Sequence, residues 1–205
     1  MKIERVNSYD NSEFSNIALY QHGAFLIDDI PCEFVIVSKD TATITTLFNG
    51  DLTEVIEEFR FYAEHITKFV DNKGNVVKEY PTVDLFECSF EDLQPSQFYL
   101  SMEKAGFIET WLKSPEDVFI PATKYDGKYI ILDGHTRLAI AYKKGFQYIY
   151  IFESEASDYI IDFVLEAKRR NIFHIKDLEV LSSEEYQKKW HDYCDEYFMQ
   201  KEQQI

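Results

Sequence analysis

Residues 132–137 read LDGHTR, so a carboxylate, a glycine, an imidazole, a hydroxyl and a guanidinium follow directly on the apolar run KYIIL. Nothing else in the chain is so dense in reactive side chains. If KYIIL is a strand and TRLAIAYKK a helix, Asp133, Gly134 and His135 form the tight turn between them. The first N–H groups of a helix lack an intrahelical partner, and the helix dipole presents its positive end there. Such a junction attracts anions. Gly134 lets a ligand approach the backbone closely, and Thr136 and Arg137 project a hydroxyl and a forked cation suited to phosphate oxygens. His135 can donate a hydrogen bond to a phosphate or move a proton near neutral pH. Asp133 is the odd member, because a carboxylate repels phosphate unless it caps the helix, binds a magnesium ion or accepts a proton from a hydroxyl nucleophile. The plainer reading of the string makes Asp133 the N-cap, Gly134 the turn residue, and the rest ordinary occupants of a first helical turn.

The elements that must hold this junction are legible on both sides of it. PEDVFIPATKY is extended, Asp126-Gly127 is a hairpin signal, and KYIIL returns as a second strand. HTRLAIAYKKG is a helix closed by Gly145, and FQYIYIF is a further strand. Upstream, DLFECSFEDLQPSQFYLS runs extended into a turn at Pro95, and SMEKAGFIETWLK is a helix with Phe107, Ile108, Trp111 and Leu112 on one side. Residues 86–153 form one predicted mixed α/β domain. Before it, FLIDDIPCEFVIVSKDTATITTLF predicts two or three antiparallel strands, and VVKEYP a short one. Leu52, Val55, Ile56, Phe59, Ala63, Ile66 and Val70 fall at helical spacing behind an Asp51/Glu54 capping box. Residues 1–85 are therefore a small α+β unit. Residues 154–205 are a helical region packed on the middle domain, with SDYIIDFVLEAKRRN and SSEEYQKKWHDYCDEYF at helical period and Ser182 with Glu185 as a second capping box.

Composition bounds the partners. The chain has 205 residues, 45% of them apolar, enough for a sizeable core, and it lacks any apolar run long enough to span a membrane. The opening MKIERVNSYDNSEF has no apolar block of the signal-peptide kind, and Cys32, Cys88 and Cys194 form no CxxC pair, so a cytoplasmic location with reduced thiols is expected. A net charge of −16 disfavours nucleic acid and anionic membrane. Residues 121–150 depart from that balance, with Lys124, Lys128, Arg137, Lys143 and Lys144 against Asp126 and Asp133. Other candidates read as structure. His191 and Cys194 lack the second pair that a tetrahedral metal site needs, and His22, His65 and His174 are isolated among apolar residues. The many Tyr and Phe are packing residues, and Lys168-Arg169-Arg170 is a solvated helix end.

The ordered set from LQPSQFYLS through VFIPATKYDGKYIILDGHTRLAIAYKKGFQYIYIFE, residues 93–153, resembles the ParB/sulfiredoxin-like superfamily, often labelled the ParB-like nuclease domain. The resemblance implies an α+β protein in which a ParB/sulfiredoxin-like mixed α/β domain is flanked by the N-terminal unit and the C-terminal helices. It also implies a motif loop that cradles nucleotide phosphates, with Gly134, His135, Thr136, Arg137, Ser96 and Gln97 as ligand contacts. In the sulfiredoxin branch a nucleophilic cysteine precedes a His-Arg pair. Asp133-Gly134 stand there in this chain, so sulfinic acid reduction is not expected. In the partition-protein branch, a glycine, an acidic residue and two arginines bind CTP; only Gly134 and Arg137 match, and WHDYCDEYFMQKEQQI does not resemble a helix-turn-helix. The free serine kinase branch carries Asp-Gly-His-His-Arg, which Asp133, Gly134, His135 and Arg137 match, with Thr136 in place of the second histidine. The glutamate base of those kinases should fall near Ser96-Gln97, and Gln97 is an amide that cannot serve. Asp133, Glu91 or Glu103 then takes the role, or the nucleotide binds without transfer.

The expected function is binding of a nucleotide (ATP, ADP or CTP, with Mg2+) or another phosphate-bearing small molecule at Asp133–Arg137, extending to phosphotransfer onto a small hydroxyl metabolite with Asp133 and His135 as catalytic groups. The alternative is a non-catalytic nucleotide-sensing or protein-interaction module, with a protein partner or a second copy of the chain docking on its flanks. A DNA-binding ParB-like nuclease or partition protein comes third.

Overall fold

Strands that alternate apolar and polar residues need a cover for one face only, and the first 85 residues solve that with a single sheet and a crossover helix. The computed structural model describes residues 1–8 and 10–203, and divides the chain into units Met1–Leu85 and Phe86–Ile205. The first unit holds β1 (Ile3–Arg5), α1 (Asn16–Tyr20), β2 (Ala24–Ile27), β3 (Ile30–Ile36), β4 (Thr41–Thr46), α2 (Thr53–Arg60), β5 (Lys68–Asp71) and β6 (Val76–Glu79). The six strands lie in sequence order, antiparallel except for β4 and β5, which run parallel because α2 carries the chain across. Val55, Ile56 and Phe59 of α2 face the sheet, and Phe59 stacks on Phe34 with ring centroids 4.6 Å apart.

The structure corrects the predicted course of α2. The helix stops at Arg60; of the residues that continue its spacing, Ala63 and Ile66 lie in the connection that follows, and only Val70 joins a strand, in register with Thr43. Parallel pairing with β4 satisfies the backbone of Lys68–Asp71 and places Phe69 in the core under the sheet. The start is also simpler than a capping box: Leu52 is the N-cap residue without a side-chain bond, while Asp51 accepts from the Thr53 N–H at 2.9 Å.

The second unit contains β7 (Phe86–Cys88), β8 (Leu93–Gln94), β9 (Tyr99–Ser101), α3 (Met102–Trp111), β10 (Phe119–Tyr125), β11 (Lys128–Ile131), α4 (His135–Lys143), β12 (Ile149–Glu153), α5 (Ile160–Arg169), β13 (Glu179–Leu181), α6 (Ser183–Tyr186) and α7 (Asp192–Glu202). A π-helical turn, Gln187–His191, joins the last two helices. The main sheet has the order β7-β12-β10-β11-β8; β10 and β11 form the hairpin, and β12 returns parallel to β10 after α4. A second, two-stranded parallel sheet pairs β13 with β9. One apolar cluster takes Leu93, Phe98, Ile120, Ile131, Leu138 and Ile151 from residues 86–153, and Phe163, Ala167, Ile172 and Ile175 from the residues after 153. The molecule is thus an α+β protein, and among the described residues no helix is long and apolar enough to cross a membrane. Gln204 and Ile205, in the region predicted as helical, lie outside the described residues.

Candidate functional site

The apolar strand β11 ends at the junction because Leu132 still donates its N–H to Pro121 of β10, at 3.0 Å, while Gly134 turns into the left-handed region at φ 84°. Gly134 is the N-cap of α4, its carbonyl accepting from the Leu138 N–H at 2.9 Å. Asp133 as N-cap, the plainer expectation, is therefore corrected. Its carboxylate reaches along the first turn to Arg137, with Oδ2 2.9 Å from Nη2. The second guanidinium terminus donates to the Phe119 carbonyl at 3.4 Å. A side chain at position 134 would meet Ile120 Cδ1 at 2.5 Å and the Arg137 guanidinium at 3.1 Å. The space that glycine leaves is thus filled by Ile120 and by the Arg137 fork folded back over the loop, and Arg137 keeps 20% of its side chain exposed.

His135 and Thr136 face the other way, into the protein. The His135 ring is 4% exposed, and its Nε2 accepts from the Ser96 N–H at 3.1 Å. A ring nitrogen that accepts carries no proton, so the tautomer is protonated at Nδ1. Burial lowers the His135 pKa from 6.5 to about 4, while the Asp133 charge works in the opposite direction. The imidazole is neutral across the physiological range. Ser96 is equally buried and donates its hydroxyl to the Ile131 carbonyl at 2.6 Å, which ties the turn after Pro95 to the end of β11. Gln97 leaves this group: its amide donates to the Tyr99 carbonyl and to the Tyr186 hydroxyl, each at 2.7 Å.

Asp133, Gly134 and Arg137 therefore form the outward group, and His135 and Ser96 the inward fastener that holds it. The two other carboxylates considered as bases lie elsewhere. Glu103 accepts from the Ser183 hydroxyl at 3.3 Å, and Glu91 sits 3.7 Å from His174. The local excess of cations is also dispersed. Lys143 and Lys144 lie at the far end of α4, where Lys143 pairs with Glu109, and Lys144 donates to the Glu109 and Leu112 carbonyls at the C-terminal end of α3. Lys124 and Lys128 flank the Asp126–Gly127 turn, at the opposite end of the hairpin from Leu132. Arg137 alone among the five stands at the loop.

One further reading changes. Arg170 is no solvated helix end: it lies 4.5 Å over the Phe98 ring, donates to the Tyr99 hydroxyl at 3.1 Å and pairs with Glu166 at 2.9 Å. Among the described residues no group of three or more His, Cys, Asp or Glu side chains is placed to hold a metal ion. The roles of Phe119, Pro121 and Ile131 were invisible in the sequence because each acts through its backbone carbonyl, which carries no residue signature.

No family model matches the chain, and no curated protein matches it. Among solved structures it is similar to protein Atu1540 from Agrobacterium tumefaciens, with 14% sequence identity and a TM-score of 0.35. That match covers 49% of this chain and 64% of the Agrobacterium protein, so this chain spans less than two thirds of that protein's length.

Proposed function

We propose that the unit from Phe86 carries a ParB/sulfiredoxin-like domain which binds the phosphate of a nucleotide (ATP, ADP or CTP), or of another phosphate-bearing small molecule, at Asp133–Arg137. One observation carries the reading: a partly exposed guanidinium is held at the N-terminus of a nine-residue helix by a carboxylate that is itself 59% exposed. A phosphate is the stronger partner for a forked cation at a helix N-terminus, and an exposed carboxylate can swing into water when displaced. The exchange would free Asp133 to hold Mg2+ or to take a proton from a hydroxyl. His135 and Ser96 keep the loop shaped from beneath. A second reading, a nucleotide-sensing or protein-interaction module without turnover, is favoured by Gln97, whose amide is committed to Tyr99 and Tyr186. Nucleic acid stays disfavoured at a net charge of −16.

Thermal-shift titrations with ATP, ADP, CTP and GTP, with and without Mg2+, test the reading on the parent, Arg137→Ala and Asp133→Asn. At a hundredfold excess over Kd, the binder should raise the melting temperature by roughly 5 °C. The shift should vanish in Arg137→Ala and persist or grow in Asp133→Asn, which removes the competing anion. A flat panel in all three proteins refutes the phosphate site. Incubating a binding nucleotide with hydroxyl metabolites then separates transfer from sensing.

A further inference from the structure

Of the five arginines in this acidic chain, four lie within ion-pair distance of a carboxylate: Arg60 of Glu57, Arg137 of Asp133, and Arg169 and Arg170 of Glu166. Arg5 has no such carboxylate among the described residues. It lies on β1, at the edge of the first unit's sheet, with its guanidinium carbon 4.1 Å over the Tyr62 ring and its Nη1 2.8 Å from His22 Nδ1. Arginine only donates, so Nδ1 accepts, His22 is neutral, and its Nε2 carries the proton.

Three separate elements make this group: an edge strand, the turn after α1, and the turn after α2. The His22 ring also rests against Tyr62, with centroids 5.5 Å apart. His22 adopts φ 58°, a left-handed conformation that strains a non-glycine residue. Gly23 behind it is pressed so closely on Phe34 that an added Cβ would lie 2.1 Å from the Phe34 carbonyl oxygen, so the turn has little room to relax. Carboxylates of β1, β3 and the turn between β2 and β3 are engaged elsewhere: Glu4 with Lys2, Glu33 with the Ser15 N–H and hydroxyl, and Asp28 with the Lys2 N–H. Among the described residues no protein group accepts from Arg5 Nε or Nη2. These two atoms form the side-on edge of the guanidinium, whose parallel N–H pair matches the two oxygens of a carboxylate.

We propose that Arg5, His22 and Tyr62 form an anion site of their own, which takes a carboxylate on the Nε/Nη2 edge of Arg5. Tyr62 and His22 fix the plane of the fork but do not neutralise it, so the guanidinium keeps its full charge for an anion. A monoanionic carboxylate suits the place better than phosphate, because the field of a −16 chain opposes a dianion more strongly. Exposed Phe61 beside Tyr62 offers an apolar contact to whatever bears the carboxylate. This site does not depend on the loop at Asp133–Arg137.

The test follows the His22 ring by proton–carbon correlation NMR on the full chain, the signal being assigned through His22→Gln. Sodium N-acetylglycinate and inorganic phosphate are titrated separately at constant ionic strength. The carboxylate should move the His22 signal along a saturating curve with a dissociation constant of about 1 mM, worth roughly 4 kcal/mol. Arg5→Gln should abolish the curve, and Arg137→Ala should leave it unchanged. Arg5→Lys keeps the charge but loses the fork, and should weaken binding about tenfold. A drift that never saturates, equal responses in parent and Arg5→Lys, or saturation by phosphate alone would each overturn the assignment.

Discussion

His135 shows how one side chain can look catalytic and act as a fastener. Its neutral imidazole belongs to the native state, because burial holds the pKa near 4 against 6.5 for an exposed ring. As pH falls below about 6.5 the unfolded chain takes up this proton, whereas the native chain resists until near 4. The stability tied to the neutral ring is therefore whole above the unfolded value and is lost as pH falls through that window, by about 3 kcal/mol in all. His135→Gln presents an amide oxygen to the Ser96 N–H without titrating. Its urea midpoint should decline less than the parent's between pH 6.5 and 4.5. Parallel declines would mean that the ring is not buried neutral. At Gly134 the constraint is doubled, since a left-handed φ strains any side chain and Ile120 Cδ1 occupies the place a Cβ would take.

At the scale of elements, the turn between β8 and β9 is the hinge of the second unit. Ser96 bonds His135 on one side, Gln97 bonds Tyr186 on the other, and Phe98 packs edge-on against Trp190 and Tyr193 in the C-terminal helical segment. The loop at Asp133–Arg137 is thus backed by residues about ninety positions from Gln97 in sequence. Tyr186→Phe removes a single acceptor from the Gln97 amide and should cost about 1 kcal/mol. Hydrogen exchange at the Ser96 amide should quicken with it, because the segment loses one of its two anchors. Unchanged protection at Ser96 would show that the Tyr186 hydroxyl does not support the turn. Among elements, α2 and β5 show where periodicity misleads. Ala63 and Ile66 stay buried in the connection after Arg60, outside both elements, and of the predicted helical set only Val70 reaches the strand that pairs with β4.

Over the whole molecule the dominant quantity is charge. At −16 the folded chain repels itself, and screening should relieve that. Raising NaCl from about 0.02 M to 0.5 M should lift the melting temperature by a few degrees, since the Debye length shrinks well below the size of the molecule. A fall would mean that surface ion pairs outweigh the net repulsion. The sequence by itself determined the α+β class, the hairpin at Asp126–Gly127, the strand-to-helix junction and the helix of residues 135–143, all of which rest on local alternation, turn chemistry and period. Only the tertiary structure decided that Gly134 caps the helix, that His135 turns inward while Arg137 folds over the loop onto Asp133, and that β13 pairs with β9 some eighty residues away. Periodicity reports which face a residue takes on its own element. Which hydrogen-bond partner and which burial it finds depend on segments distant in the chain, and those set the pKa of His135 and the partner of Arg137.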